Sequence, residues 1–328
     1  MVQNEFKNKR ILITGGLGFI GSNLASRLVE RGAEVTLIDS LTPEYGGNLF
    51  NIEPFRDRIR VNISDVRDVH SLRYLVQEQD FLFNLAGQTS HVDSMNDPNT
   101  DLEINCRAQL SILEACRKNN PALRIVFAST RQLYGKPQYL PVDEKHPVQP
   151  VDVNGINKLA GENYHMLYCQ VYGIPTCVLR FTNTIGPRMR VKDARQTFLG
   201  IWIRNLLEGK PIEVWGGTQL RDILYVDDAI DALLLAGSSP NAIGKIFNVG
   251  RPDSISLLDL ARALVDANGG GEMIVNEYPA DRKKIDIGDY STDPTLIQQS
   301  LGWSAKVPLE QALSRTIDFY REHLSHYV

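Results

Sequence analysis

The sequence predicts an α/β protein built on a doubly wound parallel sheet, and three observations carry that expectation. Short apolar segments alternate with stretches of helical period, a glycine-rich turn follows the first segment at once, and a carboxylate closes the second. The first strand is RILIT, Arg10 to Thr14, and it runs into Gly15-Gly16-Leu17-Gly18-Phe19-Ile20-Gly21. Glycines permit the tight turn and let backbone N–H groups approach a ligand. The spacing predicts a helix from near Phe19, apolar at Ile20, Leu24 and Leu28 and stopped by Gly32. Its positive N-terminus suits a pyrophosphate, and Gly21 lets it pack close to the strand.

The second strand, VTLID, ends on Asp39, 18 residues after Gly21. A carboxylate there accepts hydrogen bonds from ribose hydroxyls and repels a 2′-phosphate. Together the loop and Asp39 point to a bound dinucleotide, NAD in preference to NADP. The segments RIRVNI, FLFNLA, RIVFAS and TCVLRF read as further strands, separated by helical stretches such as Val69 to Gln79 and Asp101 to Lys118. After Arg180 the rhythm loosens into a Gly186-Pro187 loop, a helix Thr197 to Glu208, a strand IEVW, and ILYVDD leading into a helix Ala229 to Ala236. The expected organisation is a Rossmann domain over 1–180, to which 222–250 returns. A smaller interleaved α/β lobe covers 181–221 and 251–328. No internal repeat or long linker divides the chain.

Composition narrows the function. The 328 residues are 43% hydrophobic and 23% charged, enough to fill a core. The net charge of −4 argues against nucleic acid or an anionic membrane as the main partner. Cys106, Cys116, Cys169 and Cys177 fall at no metal-ligand spacing, so the expectation is reduced thiols and no metal. No charged-then-apolar leader opens the chain, and no apolar run approaches the roughly 18 residues that span a bilayer. The expected compartment is the cytoplasm.

In such sheets ligands bind beyond the carboxyl ends of the strands. There the chain places Asp65-Val66, Leu85-Ala86-Gly87-Gln88 and Ser129-Thr130-Arg131-Gln132-Leu133-Tyr134-Gly135, while Asn154-Gly155-Ile156-Asn157-Lys158 opens the next helix. Taken with the glycine loop, these segments resemble the extended short-chain dehydrogenase/reductase family, specifically its nucleotide-sugar epimerases and dehydratases, over nearly the whole chain. The resemblance implies that Gly15, Gly18, Phe19, Ile20, Gly21, Asp39, Asp65, Val66, Leu85, Ala86, Gly87 and Lys158 hold NAD. It further implies that Arg180-Phe181-Thr182-Asn183 with Gly186-Pro187-Arg188 forms a sugar-nucleotide loop. Arg221 matches the family's diphosphate-binding arginine, and Arg282, Lys283 and Asp286 resemble a second phosphate and ribose patch.

One departure matters more than those matches. The family's catalytic pair is Tyr-x-x-x-Lys, four residues apart on one helix face. Here the lysine is Lys158 and the tyrosine's place is taken by Asn154, in a register fixed by Pro150, Gly155 and Leu159 to Glu162. Tyr164 and Tyr168 lie six and ten residues beyond the lysine, too far to substitute. An asparagine amide cannot take a proton from a sugar hydroxyl as a tyrosinate does, although it can orient a hydroxyl or a water. The expected catalytic set is Thr130, Asn154 and Lys158, with Asp152 as a further candidate base and Lys158 or a water held by Asn154 and Thr130 placed first.

Other departures narrow the reaction. Family dehydratases and decarboxylases carry acidic residues just after the threonine, where this chain has Arg131 and Gln132. Arg131 is expected either to serve the site or simply to pair with Asp143 or Glu144. Gln88, Ser94, Thr130, Asn183, Arg221, Lys283 and Asp286 form the expected substrate set, with His91 beside Ser94. Trp215 and Phe198 are candidates to flank the nucleotide base or to pack in the core. The expected activity is NAD-dependent epimerisation of a nucleotide-diphosphate sugar, most simply at C4. Other keto-sugar chemistry, or a protein that binds NAD and a sugar nucleotide without turnover, is the alternative. The resemblance also implies a homodimer through helices Asn99 to Lys118 and Gly155 to Tyr172.

Overall fold

The computed structural model describes residues 5–278 and 286–328. Seven strands form one all-parallel sheet: β1 (Arg10–Thr14), β2 (Glu34–Asp39), β3 (Ile59–Ile63), β4 (Phe81–Asn84), β5 (Arg124–Thr130), β6 (Thr176–Phe181) and, late in the chain, Ile246–Val249. Their spatial order is Ile246–Val249, β6, β5, β4, β1, β2, β3. The winding direction therefore reverses between β1 and β4, and a crevice opens there beyond the strand ends.

Both faces of the sheet are covered, which is why its strands read as continuous apolar runs. Ile11, Ile13, Leu37, Phe83 and Val126 point into one buried cluster, which also contains Leu24 and Leu28 of α1 (Phe19–Glu30). Leu12, Ile38, Leu82 and Ile125 alternate to the other face. There they meet Leu72 of α2 (Val69–Leu75) and side chains of two longer helical stretches. The first stretch is α3 (His91–Asn96), α4 (Pro98–Leu102), a π-helical turn Glu103–Arg107 and α5 (Ala108–Asn119). The second is α6 (Val153–Tyr172).

Some boundaries differ from the sequence reading. The helix expected to reach Gln79 stops at Leu75, and Glu78 adopts a left-handed φ of 58°. The segment VDD belongs to a helix, Val226–Ser238, whose first turn places Asp227 and Asp228 at its positive end. Only Ile223–Tyr225 before it is extended, pairing in parallel with Asn183–Ile185. Helix Phe198–Leu207 is capped by Thr197, and Ile212–Trp215 pairs with Met273–Asn276. Among the described residues no helix is long and apolar enough to cross a membrane.

Candidate active site

The crevice at the reversal point is a groove lined by Gly15, Gly18, Phe19, Ile20, Gly21, Asp39, Asp65, Val66, Leu85, Ala86 and Gly87, every dinucleotide contact expected from sequence except Lys158. Its shape depends on missing side chains. A Cβ on Gly21 would lie 2.2 Å from the Gly15 carbonyl, and Gly15 itself sits at φ +66° with Ala86 N 3.0 Å from where its Cβ would be. Asp39 is buried at the rim, with Oδ2 accepting from Leu17 N and Oδ1 from Leu41 N, each at 3.0 Å. Burial raises its pKa, and those backbone N–H groups oppose the rise. Thr14 Oγ1 fixes the far wall, accepting the N–H groups of Leu85 and Ala86 at 3.1 Å. Asp65 lines the groove while its carboxylate is held by Arg67 at 2.6 Å.

A second cavity continues from the groove, sharing Phe19, Ile20, Leu85, Gly87 and Ala128 with it. Gln88, Thr130, Arg131, Asn154, Lys158 and Asn183 also line it. The sequence-expected catalytic trio is therefore brought together from the end of β5 and the start of α6. Lys158 Nζ donates to Ala128 O at 2.6 Å and lies 4.6 Å from the Phe127 ring centroid. Burial lowers the Lys158 pKa to about 8, with Asp101 and Glu162 opposing. Thr130 Oγ1 accepts from Gln132 N at 3.2 Å and faces the cavity.

Asn154 differs from its expected part. Its Nδ2 donates to Gln88 O at 2.8 Å, to Gln88 Oε1 at 3.1 Å and to Asp101 Oδ2 at 3.0 Å. Asp101 is wholly buried and also accepts from Asn105 Nδ2 and, at 2.8 Å, from Asn157 Nδ2. Three asparagine amides thus surround one carboxylate beneath the cavity floor. Sequence reasoning missed Asp101 and Asn105. The signal available was spacing, since Asp101 and Asn105 stand four apart and Asn154 and Asn157 three apart, each pair on one helical face.

Asp152, the further candidate base, is the N-cap of α6 and does not line the cavity. Its Oδ1 accepts from Gly155 N at 2.7 Å, while Oδ2 accepts from Gln132 Nε2 and stands 3.0 Å from His91 Nδ1. Burial pushes its carboxyl up, but the His91, Gly155 and Gln132 contacts prevail and leave it below the ordinary value. Ser94 does not face the cavity either. Its hydroxyl donates to His91 O at 2.7 Å and accepts Asn154 N–H at 3.2 Å, so it supports the helix start. Tyr168 points away to Glu114, at 2.7 Å. Arg131 pairs with neither Asp143 nor Glu144, because Tyr139 OH and Lys145 N occupy the first and Asn248 N the second. It reaches across to Asn183 Oδ1 at 3.2 Å and lies 4.9 Å over the Tyr290 ring.

A third, larger cavity opens from the second past Arg131 and Asn183 and is walled by Phe198, Ile201, Trp202, Trp215, Arg221, Tyr278 and Asp286. Phe198 and Trp202 meet edge to face at 4.8 Å. Trp215 and Phe198 are half-buried walls of this space. Arg221 is nearly buried, donating to Asp286 Oδ1 at 2.9 Å and to the Leu220 and Gly288 carbonyls. Arg282 and Lys283 lie outside the described residues. Gln196, not singled out from sequence, lines all three spaces.

Residues 11–250 match the model of the NAD dependent epimerase/dehydratase family. A putative UDP-glucose 4-epimerase of Methanocaldococcus jannaschii is 31% identical over 319 residues, covering 95% of this chain and 99% of that one. UDP-glucuronic acid decarboxylase 1 of Xenopus tropicalis is 31% identical, covering 98% of this chain and 75% of that one. Among solved structures, the UDP-glucose 4-epimerase of Thermotoga maritima with UDP-glucose superposes with a TM-score of 0.88 at 28% identity, covering 96% of this chain and 99% of that one.

Proposed function

The chain belongs to the NAD dependent epimerase/dehydratase family, and on that premise we propose that it is an NAD-dependent nucleotide-sugar epimerase acting through a transient keto sugar, most simply at C4. The observation that carries this reading is the cavity where Thr130, Asn154 and Lys158 meet at the inner end of the dinucleotide groove. The residues fit the cofactor, since Gly15 and Gly21 leave a cradle that a Cβ would fill and the Asp39 carboxylate lines the same groove. When bound, NAD supplies the hydride acceptor and donor.

The chain's own residues do the rest. Lys158, with a pKa near 8, exists in both protonation states around neutral pH and is the group that moves the hydroxyl proton. Thr130 donates its hydroxyl to the same sugar oxygen. Asn154 has its Nδ2 engaged by Gln88 and Asp101, so what it offers a sugar or a water is its Oδ1. Positions 131 and 132 hold no carboxylate, and the nearby Asp152 is fully occupied as a cap, which leaves water elimination without an acid and base. The third cavity takes the nucleoside diphosphate, its aromatic walls against the base and Arg221 with Asp286 toward the diphosphate and ribose.

The reading includes a homodimer. Ile156, Leu167 and Val171 are 55%, 49% and 62% exposed on α6, and Leu102 of α4 is 43% exposed. An outward apolar stripe of this kind is the expected signature of a helix-pair interface. The deciding experiment is incubation of the NAD-loaded protein with UDP-, GDP-, CDP- and dTDP-sugars, followed by mass spectrometry and chromatography. An isomer of equal mass supports epimerisation. Loss of water or carbon dioxide assigns the alternative keto-sugar chemistry, and unchanged substrate despite binding assigns a protein without turnover.

A further inference from the structure

We propose that Arg131 and Asn183 seat an oxyanion carried by the sugar itself, so that the substrates of this chain are nucleotide-linked uronic acids. The inference rests on the nucleotide-sugar reading and names the class of sugar. Among the described residues, Arg131 Nη1 is buried without a hydrogen-bond partner, and so is Asn183 Nδ2. The two side chains are already joined, since Arg131 Nη2 donates to Asn183 Oδ1 at 3.2 Å. That bond fixes which way the amide points and leaves one unspent donor on each of two joined side chains.

Both residues line the cavity that holds Thr130, Asn154 and Lys158, and Arg131 directly follows Thr130 in the chain. The guanidinium has no ion pair among the described residues, and its flat face is against Tyr290. Asp222, the carboxylate that most opposes the fall in its pKa, accepts instead from the hydroxyls of Thr182 and Thr292. Burial lowers the Arg131 pKa to about 10, which leaves it cationic at neutral pH. A neutral hydroxyl can accept from these donors but leaves the guanidinium charge without a counter-charge. A carboxylate offers two oxygens in a plane and a full negative charge, the complement of a guanidinium nitrogen beside an amide nitrogen. A diphosphate oxygen has the same chemistry and arrives from the neighbouring cavity, so the test separates the two sources.

The experiment is isothermal titration of the NAD-loaded protein. UDP, GDP, CDP and dTDP are titrated first to select the base, then that nucleotide's glucuronate and galacturonate against its glucose and galactose forms. The uronates should bind at least about tenfold more tightly than the neutral sugars, a difference of about 1.4 kcal/mol. Arg131→Met and Asn183→Ala should each erase most of that ratio while leaving the affinity for the bare nucleoside diphosphate within about twofold. Arg131→Lys, which keeps the charge but loses the fork, should restore part of it. Equal affinity of the unmodified protein for neutral and acidic sugars would overturn the proposal. A matching loss of bare nucleoside diphosphate affinity in Arg131→Met would also overturn it, assigning the oxyanion to phosphate. Failure to bind any nucleotide or nucleotide sugar would instead overturn the nucleotide-sugar reading beneath it.

Discussion

Asn154 Nδ2 lies 3.0 Å from Asp101 Oδ2, so the amide four residues before Lys158 is bonded into the protein interior. Asp101 in turn is shared among Asn154, Asn157 and Asn105. The start of α6 is thus tied into one unit, its asparagine side chains answering a buried carboxylate.

That unit predicts the effect of Asp101→Asn. The new amide turns an NH2 group toward donors that previously had an acceptor, and a buried unpaired donor costs about 1–3 kcal/mol. Thermal denaturation should show a loss of that size. Unchanged stability would mean that the asparagines bond equally well elsewhere.

The same substitution should move a pH profile. If neutral Lys158 takes the proton, kcat/KM rises with pH through a limb near pH 8, set first by burial and opposed by Asp101 and Glu162. Removing the Asp101 charge removes a stabiliser of the ammonium, lowers the pKa and shifts the limb to lower pH. Lys158→Gln should abolish the limb along with most turnover. A limb that stays in place in Asp101→Asn would dissociate Asp101 from Lys158.

Asn154→Tyr should not rescue a conventional site. Asn154 is 2% exposed and closely surrounded by Gln88 and Asp101, so the larger phenol must break those bonds or enter the sugar space. Steady-state kinetics should show kcat/KM reduced by roughly tenfold for each 1.4 kcal/mol of lost transition-state stabilisation. Asn154→Ala should also fall, and an undiminished rate there would deny the amide a chemical role.

For the cofactor, Asp39→Ala should release NAD while narrowing its advantage over NADP, measured by fluorescence titration. Gly21→Ala should be worse than its single methyl suggests. The added carbon collides with the Gly15 carbonyl, a backbone atom that cannot step aside without opening the loop. NAD affinity equal to NADP in the unmodified protein would contradict the role given to Asp39.

Val171→Glu tests the proposed association surface. Placing a charge in the exposed stripe of α6 should leave a monomer by light scattering while the fold survives by circular dichroism. A monomer before substitution would remove the dimer from the account.

The parts of this site that were legible in the sequence are those governed by local rules. A glycine's permitted φ, a carboxylate at a strand end and a lysine at a fixed offset are set within a few residues, and Gly15, Asp39 and Lys158 stand where such rules place them. Ser94 and Asp101 were not legible, because their roles depend on α6 arriving 60 and 53 positions later to meet them. Arg131 was open for the same reason. Acidic neighbours in sequence gave it an obvious pairing, yet the strand Asn183–Ile185 brought Asn183 to it instead. Lys283, expected at the phosphate patch, lies outside the described residues.

The floor of hydrogen bonds under Asn154 has a last consequence for motion. The amide NH2 groups of Asn105, Asn154 and Asn157 are held by Gln88 and Asp101 within the protein, so this floor resists repacking on the timescale of a catalytic cycle. To return hydride to the opposite face, a keto sugar must turn over, and a fixed floor leaves that rotation to the guest. The protein then behaves as a stator around the turning sugar.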